Sequence, residues 1–140
     1  MNLPQIRIIL VDDHELVRGS WKLLLKQNTR FSIIGECKNG AEAIEEAHRL
    51  MPDIILMDIN MFPVNGLEAT ERIVQASPTI KIIGLSINSQ PVYAQKMLQA
   101  GAKGYVTKNS TLYEMTHAIM EVHDGRQYIC DEVRHKMTND

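Results

Sequence analysis

The sequence IRIILVDD at residues 6–13 decides the fold, together with the shorter run IILMD at residues 54–58. Each run is largely apolar and ends in carboxylates, which is typical of a buried strand whose last residue reaches the edge of a sheet. If these strands lie side by side, Asp12, Asp13 and Asp58 come within a few ångströms of one another. Like charges that close cost free energy unless a cation or a proton lies among them. A hard divalent cation, most simply Mg²⁺, is the expected occupant.

Five apolar, β-branched runs alternate with segments that have helical periodicity. Several helix ends carry recognisable signals: Pro91 suits a first turn, Gly101 and Gly125 suit C-terminal exits, and Thr111 with Glu114 matches a capping box. The alternation predicts right-handed βαβ units. We therefore expect an α/β fold with a doubly wound, five-stranded parallel sheet and helices on both faces. The runs begin near Ile6, Phe31, Asp53, Ile80 and Gly104.

Composition sets limits on the class of protein. The chain has 140 residues, of which 44% are hydrophobic and 23% charged, as expected for one globular domain. A net charge of -2 gives no electrostatic case for direct nucleic-acid binding. No stretch is long enough for a membrane span, and the N-terminus lacks the features of a signal peptide. We expect a cytoplasmic protein with Cys37 and Cys130 reduced, a single disulfide between them being the alternative.

Polar side chains follow the predicted strands at their carboxyl ends, where ligands bind in open parallel sheets. Asp12, Asp13 and Asp58 are joined there by Ser86 and Lys108, which end the fourth and fifth runs. The sequence has no glycine-rich phosphate loop, its five histidines show no metal-ligand spacing, and no Ser-His-Asp arrangement is visible. The sequence therefore predicts a functional site on this rim without a nucleotide cofactor.

Several short motifs together resemble the receiver domain of bacterial two-component response regulators. They are VDDH at 11–14, MDINM at 57–61, NG at 65–66, Ser86, and GAKGYVTK at 101–108. The resemblance covers roughly residues 6–123 and implies the strand order 2-1-3-4-5. Residues 125–133 are similar to receivers that precede a LuxR-type helix-turn-helix domain. We expect a receiver domain at residues 1–125 and a tail, or the start of a linker helix, at residues 126–140.

The resemblance implies a role for each acidic residue of the rim. Asp58 would be the phosphoacceptor. Asp13 and Asp58 would bind Mg²⁺ directly, with the backbone carbonyl of Asn60 as the third protein ligand, and Asp12 would hold the metal through water. Taken singly, each of these residues has an ordinary interpretation, such as Asp13 as a helix N-cap.

Three further residues complete the expected machinery. Lys108 would pair with the phosphoryl oxygens, and the Ser86 hydroxyl would hydrogen-bond one of them. Tyr105 matches the aromatic residue whose rotamer follows the signal, with a half-buried core aromatic as the alternative. We also expect His14 to be a surface residue near the site that could tune donor access.

Two positions depart from the family pattern. Phe62 stands four residues after Asp58, where proline is common, and Pro63 follows it. Asn109 follows Lys108, where many members have a proline that is often cis. The first change could shape the choice of partner, and the second puts a slow cis/trans step in doubt and should leave the loop freer.

The implied function is a signalling switch. Asp58 would take a phosphoryl group from a histidine kinase or a phosphotransfer protein, or from small acyl phosphates, and would lose it by slow self-dephosphorylation. This is not turnover on a separate substrate, so the chain is not expected to be an enzyme. The resemblance leaves open whether the chain forms a homodimer.

Three other functions fit the sequence less well. The first is the receiver half of a LuxR-type transcription regulator that ends after the receiver. The second is a phosphohydrolase of the haloacid dehalogenase kind, which needs an acidic residue two positions after the nucleophile, where this chain has Asn60. The third, a phosphorylation-independent binding module, is disfavoured because no acidic or switch position is missing.

Overall fold

The computed structural model describes residues 3–61 and 64–138. Within these residues, strands and helices alternate along the whole chain, as the sequence predicted. The elements are β1 (Ile6–Val11), α1 (Glu15–Leu25), β2 (Phe31–Cys37), α2 (Gly40–Leu50), β3 (Ile54–Asp58), α3 (Gly66–Ala76), β4 (Lys81–Ser86), α4 (Pro91–Gln99), β5 (Gly104–Thr107), α5 (Leu112–His123), β6 (Tyr128–Ile129) and α6 (Asp131–Thr138).

The strands form one parallel sheet in the order β2-β1-β3-β4-β5-β6. The doubly wound parallel fold and the order 2-1-3-4-5 are therefore confirmed. The expected count of five strands was one too low, because Tyr128–Ile129 pairs with β5. A strand of two residues has no periodicity to detect in the sequence, and it forms because the chain turns back at Gly125, whose φ is +93°.

Helices cover both faces of the sheet and bury the strands. α1 and α5 contact each other on one face, while α2, α3 and α4 follow one another across the other. The interior residues of β1, β3 and β4 are almost completely inaccessible to solvent. This explains why these strands are continuous apolar runs instead of alternating ones. In the part of the chain that the structure describes, no helix is long and apolar enough to cross a membrane.

The segment 126–140, which the sequence assigned to a tail or the start of a linker helix, packs against the sheet and α4 over its described part. Helix α6 contacts α4, and Cys130 and Val133 are completely buried. The Glu114 carboxylate on α5 accepts hydrogen bonds from the Tyr128 hydroxyl at 2.9 Å and from the Asp131 N–H at 2.8 Å. A domain boundary at residue 125 stays a prediction.

Candidate functional site

The acidic residues lie on neighbouring central strands. β1 and β3 pair in register, with Val11 opposite Met57, so Asp12 and Asp58 follow at the same level of the sheet. Both carboxylates are buried, Asp58 completely and Asp12 to within 2% exposure. Asp13, at the start of the loop to α1, is 42% exposed at its side chain. The sequence thus correctly predicted that the three side chains would come together.

In each buried carboxylate, one oxygen accepts a hydrogen bond from a backbone N–H and the other faces the Lys108 ammonium. Asp58 Oδ1 accepts a hydrogen bond from the Asn60 N–H at 3.0 Å, and Asp12 Oδ1 accepts one from the His14 N–H at 2.8 Å. Within residues 3–61 and 64–138, neither Oδ2 atom accepts a hydrogen bond of good geometry, and each forms an ion pair instead. The Lys108 ammonium lies 2.9 Å from Asp12 Oδ2 and 3.4 Å from Asp58 Oδ2, and it is the positive charge that faces them.

The charge balance of the site is negative. Burial raises the pKa of Asp58 to about 6, and the neighbouring Asp12 charge adds to the rise, while the Asn60 N–H and Lys108 oppose it. Three carboxylates against one ammonium group leave an excess of negative charge, since Lys108 is shared by the two buried Oδ2 atoms. Hard oxygen donors with unmet charge are what Mg²⁺ prefers. The residues therefore fit a divalent cation.

His14 is closer to the carboxylates than the sequence suggested. Its Nδ1 lies 3.1 Å from Asp12 Oδ1 and 3.1 Å from Asp13 Oδ1, and 3.4 Å from Lys108 Nζ. Ligand atoms of Asp12, Asp13, His14 and Asp58 all lie within 4.8 Å of one another. The spacing of the histidines in the sequence did not predict this group, because the neighbours of His14 are carboxylates and not other histidines.

Ser86 stands at the end of β4, next to β3, and is completely buried. Its hydroxyl oxygen accepts hydrogen bonds from the Asn60 side-chain amide at 3.2 Å and from the Asn88 N–H at 3.0 Å. The hydroxyl also interacts with the Tyr105 side chain; burial raises the pKa of Tyr105, and this interaction acts to lower it against that larger effect. Ser86 therefore connects Asn60, two residues after the end of β3, to the loop between β4 and α4.

Tyr105 is completely buried in β5, so it is a core aromatic buried more deeply than the sequence alternative supposed, and its role in following the signal stays a prediction. Its hydroxyl donates to the Asn88 carbonyl at 2.6 Å, and burial raises its pKa to about 12. The ring fits because residue 84 on the adjacent strand is glycine. A Cβ there would lie 3.2 Å from Tyr105 Cδ2 and 3.0 Å from Met97 Cε. The ring therefore lies inward beside Gly84, a residue that sequence reasoning overlooked.

Glycine is also required where α3 begins. A Cβ at Gly66 would lie 2.2 Å from the carbonyl oxygen of Asp58. The preceding Asn65 caps α3 by accepting from the Glu68 N–H at 2.9 Å. The NG pair at 65–66 therefore lets the helix start directly beneath the end of β3 and holds the acidic residue in place.

The two departures from the family pattern have different outcomes. The Asn109 side chain accepts a hydrogen bond from the Thr107 hydroxyl at 2.6 Å. This bond restrains the loop that the sequence predicted to be freer, because the asparagine side chain finds a partner two residues back. Phe62 and Pro63 lie outside the described residues, and the expected influence of Phe62 on partner choice stays a prediction.

Comparison with known proteins agrees with the motifs. A family model described as the response regulator receiver domain matches residues 8–120. The chain is 36% identical to the response regulator GacA of Pseudomonas viridiflava, covering 94% of this chain and 62% of the relative. It is also 36% identical to the transcriptional regulatory protein DegU of Brevibacillus brevis, covering 98% and 58%. The chain thus spans about 60% of the length of these relatives.

Solved structures share the whole architecture. A two-component response regulator of the LuxR family from Aurantimonas sp. SI85-9A1 matches with a TM-score of 0.92 at 30% identity, covering 96% of each chain. The receiver domain of the putative response regulator NarL from Mycobacterium tuberculosis matches with a TM-score of 0.83 at 27% identity, covering 89% of this chain and 100% of that one.

Proposed function

Because the chain belongs to the response regulator receiver domain family, we propose that Asp58 is its phosphoacceptor and that Mg²⁺ is required for the transfer. The observation that carries this proposal is the position of Asp58. Its carboxylate is completely buried at the end of a central strand, beside Asp12 and 3.4 Å from the Lys108 ammonium. A carboxylate becomes a competent nucleophile towards an anionic donor when positive charge offsets their repulsion.

In the proposed reaction, a carboxylate oxygen of Asp58 attacks the phosphorus of a phosphohistidine. The new O–P bond forms as the N–P bond breaks, and the leaving imidazole nitrogen keeps the electron pair and takes up a proton. Lys108 would pair with the phosphoryl oxygens, since it is the cation facing Asp58. Asp12, Asp13, Asp58 and the Asn60 carbonyl would hold Mg²⁺, which when bound would neutralise charge on the transferred group.

Ser86 and Tyr105 would convert the new charge into a change of surface. A phosphoryl group adds about -1.5 to -2 of charge and three acceptor oxygens. The Ser86 hydroxyl oxygen accepts two hydrogen bonds. Its proton would be donated to one of the phosphoryl oxygens. A shift of Ser86 would alter its bond from the Asn88 N–H, and Asn88 also holds the Tyr105 hydroxyl. The surface around α4, β5 and α5 would respond.

The proposal is tested by incubating the protein with acetyl phosphate and Mg²⁺ and measuring its intact mass. We expect the addition of one phosphoryl group, which a chelator prevents and the substitution Asp58→Asn abolishes. Asp124→Asn is the matched control, because this carboxylate is exposed and lies away from the site, near Arg126. Modification of the Asp58→Asn protein, or modification that ignores the metal, would refute the assignment.

Receiver domains of response regulators interact with histidine kinases, and we propose a histidine kinase or a phosphotransfer protein as donor. The exposed leucines of α1 support a docking surface next to the site: Leu16 is 86% and Leu23 70% exposed. Leu16 also lines a groove that reaches Lys108. Dimerisation is proposed as well, to be tested by light scattering with and without acetyl phosphate. We also propose a cytoplasmic location.

A second proposal concerns the longer relatives. One of them is named a transcriptional regulatory protein, and this chain matches 58% of it. The receiver would then regulate a DNA-binding part, as the sequence suggested for LuxR-type regulators. Residues 1–140, whose net charge is -2, should not bind duplex DNA on their own in a gel-shift assay. The geometry does not favour the phosphohydrolase, since Asn60 donates to Ser86 and has no acid to supply.

A further inference from the structure

The side chain of His14 does not cap helix α1, although His14 is the N-cap residue of that helix. At this position an oxygen-bearing side chain would accept a hydrogen bond from the first turn. The imidazole makes no such bond. It lies instead over the acidic rim, with Nδ1 3.1 Å from a carboxylate oxygen of both Asp12 and Asp13. A residue that breaks a local rule at a functional site is a candidate for function.

The group around His14 is slightly wider than the ligand set of a single bound ion, so a small movement of its side chains would close it around one. The four ligand atoms of Asp12, Asp13, His14 and Asp58 lie within 4.8 Å of one another. Bonds of about 2.1 Å place opposite ligands of one transition ion about 4.2 Å apart. Independently of that clustering, the buried atoms Asp12 Oδ2 and Asp58 Oδ2 accept no hydrogen bond of good geometry in the described part of the chain, and one ammonium group, that of Lys108, balances both of them.

We propose that His14 supplies a nitrogen ligand to this site and gives it a preference for divalent first-row transition ions, such as Co²⁺, over Mg²⁺. The inference rests on the proposed function, because it concerns the same metal site. Carboxylate and carbonyl oxygens alone suit Mg²⁺, whereas imidazole suits transition ions and contributes little to binding Mg²⁺. With 64% of its side chain exposed, His14 has room to turn towards an ion held by the carboxylates.

The experiment measures the affinity of the wild-type protein for Co²⁺ and for Mg²⁺ by calorimetry, and compares it with the variants His14→Phe and His14→Gln. His48→Phe is the matched control, because His48 is an exposed histidine on α2, outside the acidic group. We expect both His14 variants to lose roughly tenfold or more in Co²⁺ affinity, while their Mg²⁺ affinity stays within about twofold of wild type. Asp13→Asn should weaken both ions.

Nuclear magnetic resonance of the Co²⁺-loaded protein gives a direct signature. A ligating imidazole should produce a strongly shifted, exchangeable N–H signal that is absent in His14→Phe, present in His48→Phe, and displaced by excess Mg²⁺. Co²⁺ affinity that does not depend on His14, or a spectrum without that signal, would overturn the inference and leave His14 as a partner of the carboxylates alone. Failure of wild-type phosphorylation with Mg²⁺ would instead count against the proposed function.

Discussion

Replacing Gly84 by alanine puts a methyl group into space that Tyr105 and Met97 border. The backbone φ of Gly84 lies outside the left-handed region, so alanine is sterically allowed by the backbone itself. The cost comes from the neighbours. The new Cβ would lie 3.0 Å from Met97 Cε and 3.2 Å from Tyr105 Cδ2. Met97 can withdraw the end of a flexible side chain, but the tyrosine ring is held by its hydrogen bond to Asn88.

The expected loss of stability is modest but has a definite sign. Overpacking a buried site costs about 1–3 kcal/mol, and we take about 2 because Met97 can yield in part. Alanine also restricts the unfolded chain, which returns about 0.4–1 kcal/mol. The free energy of unfolding should therefore fall by about 1 kcal/mol, and by more if the Tyr105 hydrogen bond is lost as well.

Urea denaturation of Gly84→Ala and Gly19→Ala tests this reasoning. Gly19 lies within α1, and a Cβ there meets nothing within 4 Å. Gly19→Ala should raise the free energy of unfolding by about 0.5–1 kcal/mol, because alanine is the better helix former. The two variants should thus move the denaturation midpoint in opposite directions, with unchanged slope. A Gly84→Ala protein as stable as wild type would show that the packing around Tyr105 is looser than described.

Further outcomes concern the ammonium group, helix α6 and a buried thiol. Lys108→Met should lower the free energy of unfolding by about 3 kcal/mol without metal, because two buried carboxylates lose their cation, and Mg²⁺ should recover part of the loss. Denaturation with and without Mg²⁺ measures both effects, and equal losses in the two conditions would contradict this. Glu114→Ala removes the acceptor of the Tyr128 hydroxyl, so trypsin should cleave after Arg134 faster than in wild type. Cleavage at the wild-type rate would mean that this bond does not hold α6. Burial raises the pKa of Cys37 from 9.0 to about 12; the folded state thus favours the neutral thiol, and its contribution to stability is complete below pH 9 and is lost as the pH rises towards 12. Thiol labelling at pH 8 should therefore be slow until the protein unfolds, and rapid labelling of the folded protein would refute this.

The sequence predicted the central strands and the acidic rim because both follow from simple patterns. β1, β3 and β4 are buried on both faces and so read as continuous apolar runs. The carboxyl ends of parallel neighbours meet at one edge, which is enough to bring Asp12, Asp13 and Asp58 together before any coordinates are known. The motif resemblance supplied the strand order.

What the sequence left open depends on contacts between distant residues. Strand β6 is short and pairs only with the start of β5. The Thr111–Glu114 capping box is half formed: Thr111 accepts from the Glu114 N–H at 3.0 Å, but the Glu114 carboxylate serves Tyr128 and Asp131 instead. Competition of this kind between a local and a tertiary partner carries no signature in the sequence.

His14 and Gly84 show the same limit at the site itself. A histidine next to two aspartates could be seen in the sequence, but its distance from the carboxylates depends on how the chain enters α1. A glycine within an apolar strand predicts a locally weakened strand. Only the structure shows that Gly84 leaves room for the Tyr105 ring. The role of each residue depends on the side chains that other elements place beside it, which the local sequence does not show.

The location of the phosphoryl group is the most direct test of the account. The protein is phosphorylated with acetyl phosphate and Mg²⁺, reduced with borohydride, which converts an acyl phosphate on aspartate to homoserine, and mapped by peptide mass. We predict conversion at Asp58 and at no other carboxylate. Conversion at Asp12 or Asp13, or an acid-labile phosphoryl group on His14 that borohydride does not remove, would contradict it.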